Sequence, residues 1–162
     1  LNLENAVFLR REIYLNNDGV VLLPQPGRLL QRAFTKYVGE IYNRPRAAAH
    51  VEAVCEGLLH YYVNTPVVTR LIERICYLAA RDCSSLKYRS KQLVRRAAMR
   101  DRFHWDLLPN TPLDAEGLRQ FRERYHLTVD LERELLDFVD NITDFKCELS
   151  HPWFFTIMRQ TC

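Results

Sequence analysis

The chain has 162 residues, of which 48% are hydrophobic and 27% charged, a composition that builds a buried core and excludes a disordered or low-complexity polypeptide. Only 5 glycines argue against an all-β sandwich, and no apolar run reaches the roughly 18 residues of a membrane-spanning helix. The net charge of +3 is mild, yet Arg outnumbers Lys 19 to 4. Arginine suits bidentate phosphate contact and stacking on bases, and a codon bias toward arginine would give the same ratio.

The chain starts at Leu1 without methionine or a targeting pattern, as expected of a piece of a longer polypeptide. Residues 7–15 alternate, with Val7, Leu9, Ile13 and Leu15 on one parity and Phe8, Arg10, Glu12 and Tyr14 on the other. Period-two patterning predicts a strand with the first set turned inward. Residues 20–23 form a second strand, and Asn17-Asp18-Gly19 supplies residues tolerant of positive φ for the reversal. Pro24 and Pro26 end it.

Helical spacing takes over from there. The periodicity predicts helices over 28–42, 47–63 and 67–82, separated by a break at Arg44-Pro45 and by a boundary at Asn64-Thr65-Pro66. Residues 88–102 form a basic helix, with seven cationic residues at 87–102 against Asp101 alone. Residues 108–112 read as a linker. Asp114 is placed to cap a helix to Tyr125, and Thr128-Val129-Asp130 starts another that reaches about Ile142. The aromatic tail around Trp153, Phe154 and Phe155 is expected to pack on the body. Residues 114–148 hold ten acids against five bases, so the chain is polarised, and pairing between its basic middle and acidic end is the simplest use of that asymmetry. The predicted architecture is mainly α: an N-terminal β-hairpin packed on a bundle of about six helices.

The candidate chemistry is positional. Arg10 and Arg11 sit together on the first strand, where neighbours face opposite ways and at most one meets a ligand directly. Arg28, Arg32 and Lys36 recur at i, i+4 and i+8, a basic ridge along one helix face. A solvated face explains either feature equally simply. Five cysteines form no CxxC and no disulfide framework, which fits free thiols in a reducing compartment. Cys147-x3-His151 with Cys76 and Cys83 has ligand-like spacing but lacks the short paired arrangement of a zinc site, and no metal is assigned. His104-Trp105-Asp106 lacks a nucleophile motif and reads as a packed aromatic corner.

Phe8-Leu9-Arg10-Arg11, the reversal, and then Gly19-Val20-Val21-Leu22-Leu23-Pro24-Gln25-Pro26-Gly27-Arg28-Leu29-Leu30 resemble one element: the primer-grip hairpin, motif E, of viral RNA-directed RNA polymerases, with the start of the thumb. The pattern is similar to that of nodavirus, tetravirus and narnavirus-like replicases. Residues 47–71, with Tyr61-Tyr62-Val63-Asn64-Thr65-Pro66, resemble a thumb helix pair. The resemblance implies a hairpin element at 1–27 and a thumb-like helical part at 28–162. It implies that Arg10, Arg11, Arg28, Arg32 and Lys36 hold RNA, with primer–template RNA and the polymerase's own palm and fingers as partners. It places the protein in the host cell cytoplasm, in a viral replication complex. The chain has no Gly-Asp-Asp; the catalytic aspartates, with the Mg or Mn ions of the parent polymerase, would lie upstream, and this chain would bind neither ion. A non-enzymatic helical module that binds RNA or a protein is the alternative.

Overall fold

The computed structural model describes residues 6–35, 44–83 and 111–160. Three antiparallel strands open the chain: β1 (Val7–Phe8), β2 (Arg11–Asn16) and β3 (Gly19–Pro24), in the order β1-β2-β3. Six helices follow among the described residues: α1 (Pro26–Thr35), α2 (Arg44–Leu59), α3 (Val68–Asp82), α4 (Ala115–Arg124), α5 (Val129–Asp140) and α6 (Pro152–Arg159). The mainly helical class with an N-terminal sheet packed on helices is therefore the observed one. The predicted basic helix at 88–102, the corner at 104–106 and the end of the 28–42 helix lie outside the described residues, as does most of the 108–112 linker.

The sheet departs from the predicted hairpin in two ways. First, the chain reverses at Leu9–Arg10, so that Phe8 faces Arg11 and residues 7–8 form a third short strand. Second, the inward parity is the opposite of the predicted one. Tyr14 and Glu12 are buried together with Val21 and Leu23 of β3, whereas Val7, Leu9 and Leu15 are exposed and Ile13 is half-buried. The register explains the pairing, since Tyr14 faces Val21 and Glu12 faces Leu23. Apolar alternation points to the wrong face because the inward positions of β2 are polar residues whose hydrogen bonds are completed by distant helices.

Helix boundaries follow capping chemistry. Asp114 accepts from Gly117 N at the start of α4, as predicted, and at the predicted start of α5 Thr128 accepts from Leu131 N. Arg44-Pro45, the predicted break, itself opens α2, which starts before the predicted residue 47; proline lacks the N–H that the first helical turn leaves unused. Proline likewise begins α1 and α6. α2 ends at Leu59, short of the predicted 63, so Tyr62 is packed in the following turn and donates to Pro24 O at 2.5 Å. Ahead of α3, Asn64 makes no side-chain cap. Val67 instead takes φ 64°, ψ −47°, and Val68 N donates to Pro66 O at 2.7 Å, the bond of a γ-turn.

One core joins the layers. Leu71, Ile72, Ile75 and Leu78 of α3 are buried with Val51 and Cys55 of α2 and Leu135 and Val139 of α5. Trp153, Phe154 and Ile157 of the C-terminal helix complete it, so the aromatic tail packs on the body as predicted. Gln31 of α1 donates to Met158 O at 3.1 Å.

Candidate nucleic-acid interface

β2 lies along α4 and is fastened to it at both ends. At the far end, Gln120 exchanges two hydrogen bonds with the Leu15 backbone, each 2.9 Å. Asn16 donates to Pro112 O at 2.9 Å and accepts from Asp114 N at 3.1 Å, while Asn17 N donates to Asp114 Oδ2 at 2.6 Å. Two backbone N–H donors, from Gly117 and Asn17, hold the Asp114 carboxyl below the usual carboxylate range. In the middle, the Tyr14 and Phe121 rings meet at 5.8 Å.

At the near end stands a buried polar cluster. The Glu12 carboxylate accepts from the Tyr125 hydroxyl at 2.5 Å and pairs with Arg124 at 3.0 Å, both Glu12 and Arg124 side chains being under a tenth exposed. Arg124 also donates to Ala6 O at 3.4 Å and lies over the Tyr14 ring at 5.2 Å. The Trp153 indole donates to Tyr125 O at 2.9 Å, which ties the cluster to α6. Burial pushes the Glu12 carboxyl up, opposed by the Tyr125 hydrogen bond and by Arg124. Burial and the Glu12 charge also push the Tyr14 and Tyr125 hydroxyls up, so both tyrosines act as neutral donors. Glu12 and Tyr125 were not candidates from sequence, and nothing local marks them: the partners are more than a hundred residues apart.

The predicted arginines divide between positions. Arg10 stands exposed in the β1–β2 reversal, with φ 64°. Arg11 is half-buried on the outer face of the sheet, its guanidinium 5.4 Å from the Tyr61 ring centroid. Helical spacing alone marks Tyr61 as one more packing aromatic and gives no sign of this partnership. Arg28 is half-buried in the first turns of α1. Arg32 belongs to α1, and Lys36 lies outside the described residues. Arg10 and Arg11 thus adjoin one end of the sheet, and α1 follows directly from β3.

The outer face of the sheet is apolar. The pairs Leu15–Val20 and Ile13–Leu22 stack along it toward Arg11 and Pro24, with Phe8 opposite Arg11. Val20 is 62% exposed and Phe8 58%. Such a face normally carries polar side chains when it meets water.

Elsewhere among the described residues, several arginines pair or bond within the chain. Arg44 pairs with Asp82 at 2.7 Å and Asp144 at 3.0 Å, Arg70 with Asp140 at 3.1 Å, and Arg122 with Glu132 at 2.9 Å. Arg74 and Arg81 donate to the Ile142 and Thr143 carbonyls. Among the described residues, Glu116, Glu123, Glu132, Asp140 and Asp144 of the acidic C-terminal third pair with arginines of α2, α3 and α4. A cleft of about 360 Å³ at the start of α3 is walled by Arg70, Arg122 and Glu132. The buried Thr65 Oγ1 beside it has no hydrogen-bond partner among the described residues. Among the described residues no three His, Cys, Asp or Glu side chains converge. Both His151 ring nitrogens are engaged, with Glu134 at 2.9 Å and with Trp153 N at 3.2 Å. Among the described residues, no helix is long and apolar enough to cross a membrane.

Comparison with family models finds no match, and neither curated protein sequences nor solved structures provide one.

Proposed function

We propose that this chain is the motif E and thumb part of a viral RNA-directed RNA polymerase, which holds primer–template RNA while metal ions bound by palm residues carry nucleotidyl transfer. The carrying observation is the sheet itself: Arg10 and Arg11 adjoin one end of a face that is apolar and exposed. In this reading the outer face packs on the palm, and the arginines reach past it to the RNA backbone. Holding the backbone aligns the 3′ end and supplies rate by positioning. Contacts of this kind are independent of sequence, because phosphates position without specifying. The helices behind the sheet would follow the shallow minor groove of the A-form duplex by shape and phosphate contact.

The test is binding of a fluorescein-labelled RNA primer–template duplex to the full chain and to the Arg10→Ala/Arg11→Ala/Arg28→Ala variant. Each charge-assisted contact is worth about 1 kcal/mol or more, so the triple variant should bind at least tenfold more weakly. Asp130→Lys and Asp137→Lys on the exposed side of α5 serve as controls and should leave affinity nearly unaltered. Equal binding by the triple variant makes the sheet a scaffold and the assignment wrong.

The same exposed face favours a second reading, a non-enzymatic module that docks a partner protein. A parent chain that binds no RNA would leave that reading standing.

A further inference from the structure

The β1–β2 reversal is a two-residue loop in which both Leu9 and Arg10 have positive φ, 50° and 64°. Positive φ at both central positions is the type I′ signature, and it selects Asn-Gly because the side chain of an ordinary L-residue crowds the backbone there. Neither leucine nor arginine relieves that crowding. Leu9 is moreover 78% exposed, so packing does not offset the strain. Such a conformation persists only where its surroundings over-determine it, and it clusters at working sites.

The surroundings here are specific. The stems of the reversal are Ala6 on one side and Glu12 on the other, and Arg124 touches both, at 3.4 Å and 3.0 Å. Tyr125 holds the same carboxylate, and the Trp153 indole holds the Tyr125 carbonyl. Gln25 N donates to Arg10 O at 3.3 Å and fastens the loop itself to the entry of α1. The tethers converge on stems and backbone and leave the Arg10 side chain outside.

We infer that Glu12, Arg124 and Tyr125 are positioning residues, a clamp that holds the Leu9–Arg10 reversal in its strained form so that the Arg10 guanidinium is presented to a nucleic-acid phosphate. The inference rests on the RNA-holding reading above and adds to it the residues that aim the contact. A reversal of Asn-Gly would be more stable and would grip nothing, a trade of stability against function.

The experiment is a double-mutant cycle on the full chain, read by thermal unfolding and by anisotropy of the labelled RNA duplex. Leu9→Asn/Arg10→Gly should raise Tm by roughly 2–4 °C or more and weaken RNA binding about tenfold. Leu9→Asn alone should raise Tm and keep RNA affinity. Tyr125→Phe should lower Tm and RNA affinity in the parent, and its effect on RNA should vanish when the reversal is Asn-Gly, because the clamp acts through Arg10. Arg124→Lys provides the same cycle if Tyr125→Phe does not fold. An equal RNA loss in both backgrounds makes the clamp a structural element only; that overturns the inference and leaves the RNA reading intact. No rise in Tm for the Asn-Gly reversal overturns the strain. If the Asn-Gly chain binds RNA as the parent does, Arg10 is outside the grip and the inference falls, and Arg11→Ala and Arg28→Ala then decide whether the RNA reading survives.

Discussion

The two reversals of the sheet are built on opposite principles. At Asn17–Asp18 the polar atoms of the stem meet α4 and its approach: Asn16 bonds to Pro112 and Asp114, Asn17 to Asp114, and Leu15 is bracketed by Gln120. At Leu9–Arg10 the loop is exposed and left-handed, and among the described residues only its stems and one carbonyl are held. The first reversal is a fastening. The second is a display, held by a buried ion pair beneath it. One strand of six residues, β2, joins the two.

The largest effect should come from removing the base of the display. Glu12→Ala leaves Arg124 buried without its carboxylate and should destabilise the chain by about 3–5 kcal/mol, as breaking a buried pair does; urea unfolding checks it. Glu12→Gln, which can still accept from Tyr125, should cost less.

At the fastening, Gly117→Ala is the sharp test. A Cβ there would strike Asn16 Oδ1 and lie 3.0 Å from Leu113 Cδ2. Asn16 cannot yield, because both ends of its amide are bonded. Helix propensity favours alanine by about 0.5–1 kcal/mol, and overpacking opposes it by about 1–3 kcal/mol. Net destabilisation is expected in denaturant melts. A stabilised variant would show that the fastening is looser than its hydrogen bonds suggest.

Acid should separate the two ends by sign. The folded Asp114 carboxyl lies below its unfolded value, so its contribution is present above the unfolded pKa near 3.8 and is lost as pH falls through the folded one. The folded Glu12 carboxyl lies above 4.5. The native state there binds the proton more readily than the unfolded chain, so stability at that site rises as pH falls from the folded pKa toward 4.5. Amide exchange followed from neutral pH down to about pH 2, below the ordinary spread of Asp values, should show Asn17 and Gly117 losing protection only at the acid end. Glu12→Gln should flatten the stability change above pH 4.5.

The smallest effect is expected at Tyr61. Its contact with Arg11 is open to solvent, and Tyr61→Ala should cost about 0.5–1 kcal/mol, with RNA affinity reduced only as far as Arg11 loses its orientation. Urea unfolding and anisotropy of the labelled duplex check the two effects separately.

What was legible in the sequence was local. Asp114 could be read as a cap, and Thr128 as the edge of a helix, because a cap's acceptor and donors lie within three residues. The strand at 11–16 and the start of α3 were legible from period and proline within a few residues. The inward face of β2 was not, since alternation scores a buried Glu12 as outward and its partners, Arg124 and Tyr125, lie beyond any window. The Leu9–Arg10 reversal carries no Gly or Asn to mark it, so by pattern residues 7–8 run on into one long strand. For the candidate interface, Arg10, Arg11 and Arg28 stand out as residue types in a pattern. Their arrangement, with Arg11 on Tyr61 and Arg10 in a left-handed loop, is a tertiary property that no spacing encodes.

The salt dependence of RNA affinity reports on the phosphate grip itself. The slope of log Kd against log salt measures how many phosphates the protein neutralises, through the counterions released. It is to be taken for the parent chain, for each single alanine variant of Arg10, Arg11 and Arg28, and for the triple variant. A backbone grip predicts a slope that becomes shallower by roughly one unit for each arginine that ceases to pair with a phosphate, with no change in base preference. A triple variant with the parent's slope, or an affinity that varies with RNA sequence and not with salt, would contradict it.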